Sequence, residues 1–531
     1  VFFLFVFCVG VLGLRLMRIP LTQPAQRARG AMRVVADESR GAIVDRNGVR
    51  LVQAQAQTWV AAKPTPAAGL ALRSLLSDQR FAQAKERLAK GNLLVLPAAD
   101  PLPNCKDLLR LEVFPRYAAR QPAAHLIGYL DGQTGVGVSG LEKAFEPLLG
   151  GVGAGELAVR LAADANHRAL AGAVIETEIT NYRSPAGVRL TLDSRVQRIV
   201  EDAMEAAGLT QGAVVVLDCQ TGEVLAMASS PSFNPNNIAA SLKDPLEPFY
   251  NRALGACPVG SMFKCFVAAA ALEQRILPET QFTCKGELNV NGQVFHCQKQ
   301  KAHGTFNMTQ ALEESCNLYF IQLAAKLERQ PLLDLLRLFG FGEETILAPG
   351  IVGSAGNLPT ETELRTPGQL ANFAFGQGKL LSTPLQISAA LAVIANGGVY
   401  RSPTLVQAAM DETGQATTYV QDSETREVLS PKIAAQVRKM MISAVENGPG
   451  RSAKPELGGA GGKTATAQSG QFGAGGSERM QTGFTGFFPA KNPRYVITVT
   501  RQNGSSGAAD CCPVFRKIAN AMRAQGLLRG D

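Results

Sequence analysis

The sequence predicts an α+β protein. Strand-like runs cluster near residues 188–228 and again near 459–500, apolar helical segments fill the interval between them, and a separate stretch with its own strands and helix precedes residue 186. Strands at both ends of a unit with helices between them make the α+β pattern. The two strand groups are expected in one sheet, because an isolated pair of strands is at best marginally stable.

A chain of 531 residues exceeds one ordinary core, and roughly two to four domains are expected. An apolar content of 46% is ordinary for a globular chain, and a charged content of 18% is low against an average of roughly 25%. The net charge of +9 gives a mildly basic surface, suited at most to an anionic polymer or membrane surface. No Lys/Arg block is interleaved with aromatics, which argues against a nucleic-acid partner.

Residues 1–14, VFFLFVFCVGVLGL, are uncharged and strongly apolar, and Arg15 and Arg18 follow. The run is short for a bilayer span of about 20 residues. The chain begins with Val rather than Met, so the run is expected to be the end of a longer single-pass anchor, with the rest of the chain on one side of the membrane. No small-residue cleavage site follows the run, which ranks a cleaved signal second. Residues 1–30 are assigned to anchor and linker, 31–185 to a second domain and 186–531 to a third.

Within the second domain, Arg40 to Leu51 reads as two short strands around an Asn47-Gly48 turn. Residues 66–95 read as helix. In the third domain Val188–Asp193 is strand-like and 194–208 helical. Ala213–Asp218 and Glu223–Ala228 form a hairpin across Cys219-Gln-Thr-Gly222. Residues 261–275 and 308–327 are apolar helices. Residues 459–469, 482–488 and 495–500 read as strands, Gly470 to Ser477 as a surface loop beside the active site, and 513–527 as a last helix.

The chain has ten cysteines. Cys284 and Cys297 bracket an expected hairpin with Asn291-Gly292 at its turn. Cysteines at the two mouths of a hairpin can approach bonding distance, and a Cys284–Cys297 disulfide is the preferred reading. A zinc site using His296 or His303 ranks below it, for lack of paired Cys-x-x-Cys spacing.

Three short motifs carry chemistry. Ser261-Met-Phe-Lys264 opens an apolar helix. A serine there is usually an N-cap, but positions i and i+3 share a helix face, so Lys264 can sit against the Ser261 hydroxyl. Burial in an apolar helix favours the neutral amine, which can take a serine proton. Ser315-Cys316-Asn317 is weak alone, as Ser232-Phe233-Asn234 shows. In its functional reading Ser315 relays protons to a leaving amine and Asn317 donates to Lys264 and to a substrate carbonyl. Lys463-Thr464-Ala465-Thr466 lies in a strand context. There Lys463 and Thr464 suit a terminal carboxylate, through charge-assisted hydrogen bonds. The Thr466 N–H would join the Ser261 N–H as an oxyanion hole, each donor worth roughly 10²–10³ in rate.

In this order the motifs match S-x-x-K, S-x-N and K-T-G, and the chain resembles a class B penicillin-binding protein. The resemblance extends to Asn251-Arg252-Ala253, Phe375-Gly376-Gln377-Gly378, Thr383-Pro384-Leu385-Gln386, Ala395-Asn396-Gly397-Gly398 and Phe484 to Pro489. In the N-terminal part Arg40 to Gly48 and Gly140-Leu141-Glu142 resemble the pedestal of that class. It implies the penicillin-binding transpeptidase fold, an antiparallel sheet flanked by helices plus an all-helical lobe, on an elongated pedestal. It implies a monofunctional peptidoglycan D,D-transpeptidase that cross-links stem peptides through an acyl-serine on Ser261, with carboxypeptidase side activity, acylation by β-lactams and no metal or organic cofactor. The implied partner is a membrane glycosyltransferase, at a cell-membrane location with the catalytic domain outside. A β-lactamase or β-lactam sensor, or a non-catalytic scaffold of a cell-wall complex, are the competing readings. Two departures stand out. Ala465 replaces the usual Gly; a methyl there can crowd ligands against the strand, but its small size makes altered kinetics rather than loss of activity the expectation. Cys316 replaces the Asp of the S-D-N variant.

Overall fold

Residues 213–217 read Ala-Val-Val-Val-Leu, which leaves neither face of a strand for solvent. The computed structural model, which describes residues 30–170, 172–297, 300–417, 423–472, 476 and 478–528, buries every residue of that strand, β1 (Gly212–Asp218). The chain turns through Gly222, at φ 81°, into β2 (Val224–Ser230). Three strands from the far end complete the sheet: β3 (Gly461–Phe472), β4 (Glu478–Phe488) and β5 (Tyr495–Gln502). The order is β2-β1-β5-β4-β3, antiparallel throughout. The two strand groups therefore join through β1 and β5, Tyr495 opposite Asp218, and β3 becomes an edge.

Side chains alternate across this sheet. Val214 and Val216 share one core with α1 (Ser194–Ala206) and α7 (Cys512–Ala524), where Phe484 meets Phe515 edge-on at 4.9 Å. Ala213, Val215 and Leu217 face the larger core, which holds α2 (Lys264–Glu273) and α5 (Pro384–Asn396). Full burial of each large apolar side chain stabilises by roughly 1.5–3 kcal/mol, so both faces anchor the sheet. Helix α5 has local start and stop signals: a capping box between Thr383 and Gln386, Pro384 in its first turn and left-handed Gly397 at its end.

Three expected elements differ. The apolar helix at 308–327 is two helices, α3 (Met308–Glu313) and α4 (Asn317–Ala324), broken where Ser315 takes φ 54°. The helix at 66–95 is Pro66–Leu72, then Asp78–Ala89, then a strand at Leu94–Pro97. Of the expected loop at 470–477, Gly470 to Phe472 belong to β3, whose ladder with β4 reaches the Phe472–Glu478 pair; residues 473–475 and 477 lie outside the described residues. Helix α6 (Pro431–Glu446) packs against β3 and α3.

The chain forms two compact units, and the first is discontinuous: the described residues up to Arg40, then Gln55–Arg116 and Ala154–Ser184. It contains an antiparallel sheet of Ala31–Ser39, Gly155–Ala162 and Ile175–Thr180, and a second sheet with Gln57–Ala62 between Leu94–Pro97 and Leu108–Val113. The second unit holds Gly41–Ala54, Tyr117–Gly153 and everything from Pro185. Segments 41–54 and 117–153, expected in the N-terminal domain, thus cluster with the C-terminal one. Ala42–Val44 pairs in parallel with Gly187–Leu190, a partner no local pattern could name. Among the described residues no helix is long and apolar enough to cross a membrane; the expected anchor at residues 1–14 lies outside them.

Candidate active site

The site is built around Gly260, at φ 60°. Its N–H donates to the Gly376 carbonyl at 2.8 Å. A Cβ on Gly260 would lie 3.0 Å from the Ala467 Cβ and 3.2 Å from that of Ala465. The turn is thus pinned between β3 and the Phe375–Gly378 segment. Ser261 follows in a 3₁₀ turn, Gly260–Phe263, that leads into α2 at Lys264. The expected helix over 261–275 therefore opens as 3₁₀.

Lys264 is fully buried. Its Nζ donates to the Ser315 carbonyl at 2.7 Å, to Asn317 Oδ1 at 2.7 Å and to Ser315 Oγ at 3.3 Å. Among the described residues its hydrogen bonds go to these two residues rather than to Ser261. Asn317 accepts from Lys264, the reverse of the expected direction, and its Nδ2 donates to the His296 carbonyl at 3.4 Å. The break between α3 and α4 makes this arrangement possible. Ser315 N donates to Leu312 O and Cys316 N to Ala311 O, closing α3, and the Cys316 sulfur accepts from Tyr319 N to cap α4. Both Ser315 groups then face Lys264. A non-glycine residue in the left-handed region is a strained conformation that persists where its surroundings enforce it.

Lys463 approaches from the other side. Its Nζ donates to Ser315 Oγ at 2.9 Å, and more distantly to Thr464. Alternation along β3 sends Lys463, Ala465 and Ala467 toward the nucleophile turn, and Thr464, Thr466 and Gln468 into the cleft. Lys463 is 2% exposed, so it charges the floor of the cleft from beneath. Ala465 is likewise buried, against Gly260. Its methyl is therefore directed away from the cleft it was expected to crowd.

Burial, and then the charge of Lys463, lowers Lys264 to about 7. Burial lowers Lys463 to about 8. Among the described residues neither amine has a carboxylate partner, and desolvation therefore governs both.

Ser261, Ser315, Asn317, Thr464 and Thr466 line a cleft of about 450 Å³. The structure brings all of these expected residues together, with Lys264 and Lys463 below. Five further lining residues were not singled out in the sequence: Pro449, Gln468, Met480, Ser506 and Ala508. Gln468 sits two and four places beyond Thr466 and Thr464, a spacing that could have revealed it once the strand was recognised. Met480 is its partner on β4. Pro449 and Ser506 have no local signal.

The expected disulfide is not formed: Cys284 and Cys297 are not bridged. The hairpin is present, Glu287–Val290 against Gln293–His296, with Asn291 and Gly292 both left-handed. But Cys297 donates to Gly286, two residues past Cys284, while Cys284 pairs with Gly304 on a different strand.

The chemistry on offer is acyl transfer through a serine, and an antiparallel sheet with helices on both faces is the frame of the serine acyl-transferring transpeptidases. Residues 212–520, from β1 into α7, match the model of the "Penicillin binding protein transpeptidase domain". The chain belongs to the penicillin-binding protein transpeptidases, in class B. It is similar to stage V sporulation protein D of Bacillus subtilis, 29% identical over 92% of this chain and 78% of the relative. It is 30% identical to the peptidoglycan D,D-transpeptidase FtsI of Escherichia coli, over 77% of this chain and 67% of that protein. Among solved structures, apo penicillin-binding protein 3 of Mycobacterium tuberculosis is 26% identical, with a TM-score of 0.65 over 94% of this chain and 98% of that one. A chain from a peptidoglycan synthase complex that coordinates polymerization and crosslinking is 26% identical, with a TM-score of 0.68 over 97% and 96%.

Proposed function

We propose that this chain is a peptidoglycan D,D-transpeptidase acting through an acyl-enzyme on Ser261. The observation that carries the reading is the Ser315 hydroxyl held between two buried amines, at 3.3 Å from Lys264 and 2.9 Å from Lys463, in the cleft that Ser261 lines. Ser261 Oγ attacks the carbonyl of a terminal D-Ala–D-Ala amide and gives its proton to neutral Lys264. The oxyanion is held by the N–H groups of Ser261 and Thr466. The C–N bond breaks, Ser315 relays the proton to the departing amine, and D-Ala leaves. The amine of a second stem peptide then attacks the ester, forms the cross-link and returns the proton to Ser261. Thr464 and Thr466 contact the terminal carboxylate, with Lys463 supplying charge from below.

The M. tuberculosis protein is also solved in complex with aztreonam and with ampicillin, which supports β-lactam binding here, with Ser261 as the residue to be acylated. The similarity to the synthase-complex chain supports a membrane glycosyltransferase as partner. The apolar run at residues 1–14 supports a membrane anchor with the catalytic unit outside.

The test is a fluorescent penicillin with mass mapping of the adduct, wild type beside Ser261→Ala, followed by stem-peptide dimer formation. A stable adduct on Ser261 and a cross-linked dimer are expected. Equal labelling of Ser261→Ala refutes the assignment, and rapid turnover of the drug favours a β-lactamase instead.

A further inference from the structure

Beside the cleft, four side chains close on one point: Cys284, Cys297, His303 and Cys316. Their ligand atoms all lie within 4.8 Å of one another. His303 Nδ1 is 3.4 Å from the Sγ of Cys284 and 3.4 Å from that of Cys297, and the sulfurs of Cys297 and Cys316 are 3.7 Å apart. A tetrahedral zinc ion, with sulfur at ~2.3 Å and nitrogen at ~2.05 Å, separates two sulfurs by about 3.8 Å and sulfur from nitrogen by about 3.5 Å. The three observed edges match those values to within about 0.2 Å. Disulfide sulfurs sit near 2.05 Å, and three thiols around one imidazole cannot be paired off. The three cysteines are buried, and His303 stacks on Phe306 at 5.5 Å, which orients its ring.

We propose that these four residues bind one zinc ion, as a structural site that fastens the turn carrying Ser315 and Asn317. All four positions are protein ligands, so no open position is left for catalysis and the role is structural. The ligands come from four separate places: the strand Phe282–Cys284, the end of the hairpin, the residue before the strand Gly304–Phe306, and the cap of α4. Binding releases three thiol protons to solvent and forms three Zn–S bonds and one Zn–N bond. Cys316 lies between Ser315 and Asn317, both of which hold Lys264. Its metal bond would fix the left-handed Ser315 from one side while Lys264 and Lys463 hold it from the other. The expectation that the reaction needs no cofactor is untouched, because this ion meets no reacting atom. Zinc binding stands apart from the proposed function; only the positioning of Ser315 and Asn317 rests on it.

The experiment uses the full chain purified under reducing conditions without chelator. Elemental analysis should find one zinc per chain in wild type and in Cys105→Ser, and none in Cys297→Ser or His303→Ala. Cobalt exchanged into wild type should show thiolate charge-transfer and tetrahedral ligand-field absorption, a readout that does not depend on the variants folding. Penicillin acylation of stripped protein should fall by roughly 10–100-fold and return on adding zinc, the scale at which metal-site support usually acts. Reduced wild type that takes up neither zinc nor cobalt, or native protein with Cys284 bridged to Cys297, overturns the site. Protein that binds zinc but acylates equally well without it overturns the positioning role alone.

Discussion

Gly376→Ala tests how the nucleophile is held. Gly376 has φ 81°, and its carbonyl accepts from Gly260 N, the residue before Ser261. A Cβ at position 376 would lie 2.1 Å from the Gly260 carbonyl oxygen and 2.9 Å from Gly260 N. Carbon–oxygen contacts settle at about 3.3 Å or beyond, so the two segments must part by roughly 1 Å. That displacement passes directly to Ser261, where a misplacement of ~1 Å costs on the order of 10²-fold in rate. The left-handed backbone adds about 1 kcal/mol of destabilisation in any residue with a Cβ, and the overpacking ~1–3 kcal/mol. Gly378→Ala separates the two effects. It shares the positive φ, at 74°, but its Cβ would meet only the Asn372 Cβ at 3.3 Å. Both variants should lose stability in thermal unfolding. Only Gly376→Ala should lose acylation, measured as the rate of fluorescent-penicillin labelling at a temperature where both are folded. Equal labelling rates for the two variants would refute the view that the Phe375–Gly378 segment sets the nucleophile's position.

Further predictions concern the two amines and the strand edge. Lys264 is lowered to about 7 by burial and by Lys463, and it acts as a base only when neutral, so acylation should rise with pH through about 7 and level off above; at pH 6 it should fall to about a tenth of the plateau. A flat profile of labelling rate from pH 5.5 to 8 would remove Lys264 as the base. In Lys463→Ala the like charge is gone, so Lys264 should titrate higher; the inflection should move up in pH and the labelling rate at pH 7 should drop by roughly tenfold or more. An inflection left in place contradicts the coupling. Ala465→Gly should cost about 0.5–1 kcal/mol in thermal stability, as glycine does within a strand, and change acylation only a few-fold, because the methyl packs under Gly260. A tenfold gain in labelling would instead show that the methyl reaches the cleft.

The chemistry-bearing residue types and the local elements that hold them can be read from the amino-acid order. Ser261 and Lys264 are legible three apart at the start of an apolar helix. The β1–β2 hairpin and the Asn291-Gly292 turn are legible as well, because each rests on contacts among residues within a few positions of one another. What the tertiary structure alone decided depends on contacts across tens to hundreds of residues. Lys463 reads as a strand-end cation, yet it is buried at the edge of a sheet formed with β1, some 250 residues earlier. The break at Ser315 falls in the polar stretch Glu313-Glu-Ser-Cys-Asn317, but that the left-handed serine there faces two amines from separate elements is decided by packing alone. Ala465 looked like an obstacle until the register of β3 turned it away from the cleft. Cys284 and Cys297 bracket a hairpin in the sequence; the pairing of Cys284 with Gly304 and the cap at Cys316 gather them instead around His303. Periodicity names the face a side chain occupies within its own element, and only the packing of distant elements says what that face meets.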